Sequence, residues 1–181
     1  MKKRPLIIGI DGGASKVSAF VVEAADGGNS FKLGVHNSTR EYHDFQSDFT
    51  PVDLPTQLEQ IYHNNIMLTP AEEDQAKVFS EAIFEVISDI VQVTKPENIL
   101  IGIGMPGIKT ADKRGIAAMA NGPRMPNFVR EIEQKLSAAG IALATPVGKL
   151  GSDADYCGIG EEYAENGGFR TTENAYYLGG G

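Results

Sequence analysis

Two short segments carry residues whose types and spacing suit phosphate chemistry. The first is Asp11-Gly12-Gly13-Ala14-Ser15-Lys16, lying between two runs of β-type residues. Paired glycines leave room for backbone N–H groups to face an anion, Ser15 adds a hydroxyl donor and Lys16 adds positive charge. Asp11 suits the metal side of such a site, because Mg²⁺ keeps most of its waters and takes only one or two carboxylates plus phosphate oxygens. Taken alone, the same residues also read as a plain tight hairpin, since such turns demand Gly or Asp anyway. The segment matches neither the Walker nor the G-x-G-x-x-G spacing, and it precedes a strand rather than a helix.

The second segment is Gly151-Ser152-Asp153-Ala154-Asp155, at the junction between a strand and a helix. A carboxylate at a strand exit stands where open α/β folds place catalytic groups. Asp153 could there take the proton of a substrate hydroxyl as that oxygen attacks the terminal phosphorus of a nucleotide. Its plainer role is helix N-cap or first-turn acid, favoured by the helix dipole, and Asp155 reads as first-turn charge. Gly158 and Gly160 within the helix cost roughly 1 kcal/mol each against Ala, which points to a close neighbouring backbone. His36, His43 and His63 lack metal-ligand spacing and receive no role, and Cys157 reads as a small buried hydrophobe.

The elements that must position these groups follow from periodicity. Residues 6–10 and 17–22 form a strand hairpin, and 30–35 form a third strand after the turn residues Asp26, Gly27, Gly28 and Asn29. Residues 37–65, interrupted by Pro51 and Pro55, read as a long connection with a short helix near 57–62. Thr69, Pro70 and Glu72 make a helix start with a capping box. Phe79, Ile83, Val86, Ile87 and Ile90 give that helix one apolar stripe, and Lys95 before Pro96 marks its stop. Residues 99–103 are a short apolar strand of the kind buried on both faces. Asn127 caps a helix with Phe128, Ile132 and Leu136 four apart and Gly140 as its left-handed terminator. A strand over 141–147, a helix over 153–164 and a last strand over 174–178 complete the reading. The fold class expected is α/β, in the order βββ-α-β-α-β-α with that terminal strand, built as a mixed five-stranded sheet with helices on both faces.

Composition narrows the partners. With 181 residues and 41% hydrophobic residues, the chain is long enough for one core, and 16 Lys and Arg against 24 Asp and Glu leave a net charge of -8. That field repels duplex nucleic acid. A single cysteine, Cys157, excludes an internal disulfide and fits a reducing compartment. The apolar run after Arg4 is interrupted at Asp11, too short for a secretory signal, and no stretch approaches a membrane span, so the expected location is cytoplasmic.

In order, the segments resemble the N-terminal lobe of the ribonuclease H-like actin, hexokinase and Hsp70 superfamily of ATP-using proteins, and within it the ROK family of sugar kinases. The carrying residues are IIGIDGGASKVSAFVVE (7–23), ILIGIGMPGIK (99–109), GSDADYCGIGEEY (151–163) and NAYYLGGG (174–181). The resemblance implies ATP-dependent phosphorylation of a sugar hydroxyl, with ATP and Mg²⁺ as cofactors and the sugar and ATP as small-molecule partners. It implies that Asp11 helps hold Mg²⁺, that Gly12, Gly13, Ser15 and Lys16 lie near the ATP phosphates, and that Gly179 and Gly180 belong to a second phosphate loop. Asp153 would be the general base. Pro106 and Gly107 would shape the sugar pocket, Asn121 would hydrogen-bond sugar hydroxyls, and Ser152 falls where the family commonly has another sugar-binding asparagine. Ser152 and Asp155 depart from the usual asparagines, which leaves the hexose open.

Residues 1–181 are therefore expected to form the N-terminal lobe, with the second lobe absent from this chain and the lobe inactive alone. The Asp-Gly-Gly-Ala-Ser run also resembles the BadF-type ATPase and N-acetylglucosamine kinase group, and an acetate-kinase-like enzyme stays open beside it. A non-catalytic sugar-sensing regulator of the ROK type would carry a helix-turn-helix before the first strand, and a strand starting at Leu6 leaves no room for one. Whether 37–65 is a substrate lid or a homodimer surface also stays open.

Overall fold

The computed structural model describes residues 4–44 and 49–175. Its centre is β1 (Leu6–Gly12), whose β-branched residues alternate with small ones. β1 pairs antiparallel with β2 (Lys16–Ala25), which in turn pairs antiparallel with β3 (Ser30–Glu41). On its other side β1 pairs parallel with β4 (Ile99–Gly104), giving a mixed four-stranded sheet in the order β3-β2-β1-β4.

Between β3 and β4 run α1 (Leu54–Tyr62) and α2 (Pro70–Thr94). The capping box is present: the Glu72 N–H donates to the Thr69 hydroxyl, and the Glu72 carboxylate accepts from the Thr69 N–H. α2 ends on Lys95 in the left-handed region, φ 47° and ψ 53°. Phe79, Ala82, Ile83, Val86, Ile87 and Ile90 are all at most 2% exposed. They cover the sheet face formed by Ile8, Ile10, Val17, Ala19, Ile101 and Ile103, and each large side chain so buried contributes roughly 1.5–3 kcal/mol. α3 (Phe128–Ala138) packs beside α2 through Phe128, Val129, Ile132 and Leu136, and Gly140 beyond its end has φ 73°. Asn127 is its N-cap residue, although its side chain makes no capping bond. α4 (Asp153–Tyr163) lies at the opposite face, where Tyr156 rests on Gly104 and Gly151.

Several expectations need correcting. Among the described residues the sheet has four strands where five were expected: residues 141–147 meet β4 through a single parallel bridge at Leu143, and a second bridge joins Gly104 to Gly151. Between these bridges Pro146 and Gly148 interrupt the segment, which turns away as Leu150 N–H donates to the Lys113 carbonyl. β3 runs six residues beyond 35, because its inward positions there are Ser38 and Arg40, which bond Asp89 and Glu85 of α2 instead of adding apolar residues. α1 begins at Leu54, capped by Asp53, ahead of the 57–62 expected. A small hairpin of β5 (Ile108–Lys109) and β6 (Ile116–Ala118) was not expected, so two short strands are added to the anticipated order. Cys157 is exposed rather than buried, and among the described residues no heavy atom lies within 4 Å of a Cβ built at Gly160, so none of their backbone explains that glycine. Of the last expected strand, Asn174 and Ala175 are not in a strand and 176–178 lie outside the described residues, as do Gly179 and Gly180.

Candidate functional site

β1 and β4 are parallel and in register, so their carboxyl ends lie side by side, with Asp11 opposite Gly104. Gly104 is in turn bridged in parallel to Gly151, and Met105 N–H donates to the Gly151 carbonyl at 3.1 Å. Asp11, Gly104 and Gly151 therefore form one rank across three adjacent parallel segments. Neighbouring segments stand about 4.8 Å apart, so Asp11 and Gly151 are about 10 Å apart at the backbone. Asp153 begins α4 two positions beyond Gly151. The two segments singled out by their chemistry thus meet at one end of one sheet, the position where open α/β sheets hold ligands.

The rank continues in the other direction. Asp11 is opposite Ser18, Ser18 is opposite Thr39, and their hydroxyls lie 2.9 Å apart. Sequence reading did not single out these two hydroxyls. The signal was present in the alternation of polar Lys16 and Ser18 with apolar Val17 and Ala19, which sends both to the face that carries Asp11.

Gly13, Ala14 and Ser15 connect β1 to β2, closed by a 2.8 Å bond from Gly13 N–H to the Lys16 carbonyl. Neither Gly12 nor Gly13 has positive φ, so this turn does not need glycine for its backbone shape. Gly12 is glycine for packing, because a Cβ there would meet Met105 Sδ at 1.9 Å. Gly13 has no such reason, its Cβ meeting nothing closer than the Lys16 carbonyl at 3.5 Å. Tyr42 fastens the turn from below, its N–H donating to the Ser15 carbonyl at 2.9 Å and its ring stacked on Phe79. Burial, and secondarily the charge of Asp11, push the Tyr42 phenol well above its usual range. Asp11, Ser15 and Lys16 are exposed. Asp11 makes no ion pair among the described residues, and one free carboxylate beside a glycine-rich turn is a donor set that fits Mg²⁺ shared with phosphate oxygens.

A cavity of about 260 Å³ lies beside this turn, bounded by Ala14, Leu54, Pro106, Gly107, Met119 and Asn121 among others. The expected sugar residues Pro106, Gly107 and Asn121 are thus brought together, next to the expected phosphate loop. Gly107 is required there twice over, by φ +89° and by the Ala118 carbonyl, 2.4 Å from any Cβ. The Lys109 ammonium holds the same loop, donating to the carbonyls of Met105 at 2.6 Å, Gly107 at 2.8 Å and Pro106 at 3.3 Å. Ser152, expected as a sugar contact, is the N-cap of α4, its hydroxyl accepting the Asp155 N–H at 2.9 Å. It does not border the cavity. Among the described residues no group of three or more His, Cys, Asp or Glu side chains is placed to hold a metal, and no helix is long and apolar enough to cross a membrane.

By sequence the chain matches no protein-family model and no curated protein. By structure it resembles the inorganic polyphosphate/ATP-glucomannokinase of Arthrobacter sp. strain KM, with a TM-score of 0.59 and 16% identity over 94% of this chain and 52% of that one. The ROK hexokinase of Thermus thermophilus gives 0.54 and 15% over 90% and 40%. The ROK family glucokinase of Streptomyces griseus, in complex with glucose and AMPPNP, gives 0.51 and 16% over 90% and 37%. The chain shares its fold with part of these sugar kinases and spans about half or less of the length of the solved chains it matches. The resemblance read from the four motifs thus meets ROK-family neighbours in three dimensions, at identities that speak for the fold alone.

Proposed function

We propose that the chain is the N-terminal, acceptor- and phosphate-binding lobe of an ATP-dependent sugar kinase, and that a second lobe completes the cleft. The observation that carries this reading is the shared rank Asp11-Gly104-Gly151, which brings the glycine-rich turn, the cavity and the start of α4 to a single sheet end. Gly13 supports it further, as a glycine that neither φ nor packing demands and that leaves space for a close anion.

In this reading Asp11 holds Mg²⁺, and Gly12, Gly13, Ser15 and Lys16 face the phosphates of ATP, with Gly179 and Gly180 in a second phosphate loop. Bound Mg²⁺ neutralises charge on the phosphate oxygens. Pro106, Gly107 and Asn121 orient the sugar, and Asp153 accepts the proton of the attacking hydroxyl. The sugar oxygen forms its bond to the terminal phosphorus as the bridging P–O bond breaks, ADP leaves, and the proton remains on the Asp153 carboxylate. Such transfer depends on positioning within a closed site, so one lobe supplies only part of the donors and turns over little alone.

The test is sugar-dependent ADP formation by the complete product of the gene, across hexoses and amino sugars. Asp153→Asn is expected to lower kcat by roughly 10²–10⁴-fold with the KM for ATP little changed. An unchanged kcat in that variant, or no turnover with any sugar, would overturn the reading.

A further inference from the structure

The segment carrying Asn121 is irregular and exposed at its tip, yet it is tied down on both sides by buried side chains from outside the sheet. On one side stands Gln57 of α1, fully buried. Its carboxamide treats the Met119 backbone as a strand would: the Met119 N–H donates to Gln57 Oε1 at 2.8 Å, and Gln57 Nε2 donates to the Met119 carbonyl at 3.1 Å and to the Val52 carbonyl at 2.6 Å. On the other side stands Arg124, also fully buried. Its guanidinium forks onto Glu72, with Nε on Oε1 at 2.7 Å and Nη2 on Oε2 at 2.6 Å. Nη1 donates to Gln60 Oε1 at 2.6 Å and Nη2 to the Met67 carbonyl at 2.8 Å. Glu72 is 1% exposed and is itself fixed by the capping box of α2.

A buried ion pair of this kind is a poor way to gain stability, because desolvation of two charges offsets much of their attraction, while its geometry is highly specific. Here the geometry is spent on a segment with no strand of its own between Ala118 and α3. The acceptor partners of Arg124 belong to α1, the start of α2 and the segment that joins them, and α1 also supplies Leu54 to the cavity. Asn121 therefore sits at the apex of a short arch whose two feet, Met119 and Arg124, are held by residues of a different element.

We propose that Arg124 and Gln57 are positioning residues for Asn121, and that they lock α1 and residues 118–124 together as one rigid wall of the acceptor cavity; the link to sugar rests on the reading of that cavity given above. α1 is on this account a fixed wall of the site and not a lid that opens over it. Loosening either foot lets Asn121 leave its place beside Pro106 and Gly107, and misplacement of about 1 Å at such a group costs up to about 100-fold in rate.

Two variants test this. Arg124→Lys keeps the charge but loses the fork. Arg124→Met combined with Glu72→Gln removes both charges, so that neither is left buried alone. In the 181-residue chain, amide exchange at Met119 and Met125, which are hydrogen-bonded to Gln57 and Ile116, is expected to accelerate at least tenfold, while the α2 amides from Phe79 to Ile90 keep their protection. In the complete gene product, the KM for the sugar is expected to rise at least tenfold with the KM for ATP unchanged, and Arg124→Lys to retain more sugar affinity than the double variant. Uniform loss of protection across the chain, or a local exchange rate and sugar KM that both stay at wild-type values in folded variants, would overturn the proposal. Absence of any sugar turnover in the wild type would instead remove the acceptor reading, and the exchange rates at Met119 and Met125 would still decide whether Arg124 locks the arch.

Discussion

A Cβ at position 12 would stand 1.9 Å from Met105 Sδ, while one at position 13 would touch nothing closer than 3.5 Å. Adjacent glycines therefore separate packing from binding. Gly12→Ala is expected to lose about 1–3 kcal/mol by overpacking. Gly13→Ala keeps the melting temperature of the wild type or raises it slightly, since its backbone angles suit any residue and the unfolded chain loses freedom. The same change removes the open approach to a phosphate, and losing one charge-assisted hydrogen bond weakens AMPPNP binding about tenfold. Thermal unfolding and a nucleotide titration on both variants check the pair. Asp11 stood out in the sequence as a lone strand-end carboxylate beside paired glycines, whereas Pro106, Gly107 and Asn121 were reached only through the family resemblance. Gln57 and Arg124 did not stand out, because a polar residue in a short helix or an irregular stretch looks solvent-facing until its buried partners, distant in sequence, are known.

At the level of elements, caps and apolar stripes were the readable part. α2 could be placed from Thr69 to Lys95 because its start, stripe and stop agree. Lys95 holds φ 47°, a conformation costly for a residue with a Cβ, so Lys95→Gly is expected to add up to about 1 kcal/mol of stability in denaturant unfolding. The far half of β3 was unreadable because its inward side chains are Ser38 and Arg40, paired with Asp89 and Glu85, and no hydrophobic alternation marks it. The cap of α2 also carries a pH signature. Burial alone would raise the Glu72 pKa, but its bonds to Arg124 and to the Thr69 N–H outweigh that and hold it below its ordinary value of about 4.5. As pH falls below that value the unfolded chain binds the proton first, so stability is complete above it and is lost as pH drops through the lower folded pKa. Acid unfolding curves of Glu72→Gln are expected to be flatter in this window than those of the wild type, and equal slopes would count against the pairing.

On the scale of the whole molecule, the two sheet faces differ. One is sealed by α2, whereas the other leaves Leu33 66% exposed and Leu100 36% exposed, with α4 exposed along most of its length and Tyr156, Ile159 and Tyr163 partly uncovered. The class of fold was readable from the order of strands and helices, but the failure of 141–147 to pair as a strand was not, because most of its residues are strand-like and only Pro146 within it and Gly148 just beyond it show why the pairing breaks after Leu143. What the sequence could not supply was register, and register is what brings position 11 and position 153 to one end of the sheet. The central claim is that proximity, and it can be read directly in the 181-residue chain by adding Mn²⁺ with AMPPNP and recording paramagnetic broadening of backbone amide resonances. The account predicts that broadening is strongest at residues 11–13, extends to Gly104 and 151–153, spares Ser137 and Gly140, and disappears in Asp11→Asn. Broadening that leaves 151–153 untouched while remaining strong at 11–13, or that persists unchanged in Asp11→Asn, would contradict it.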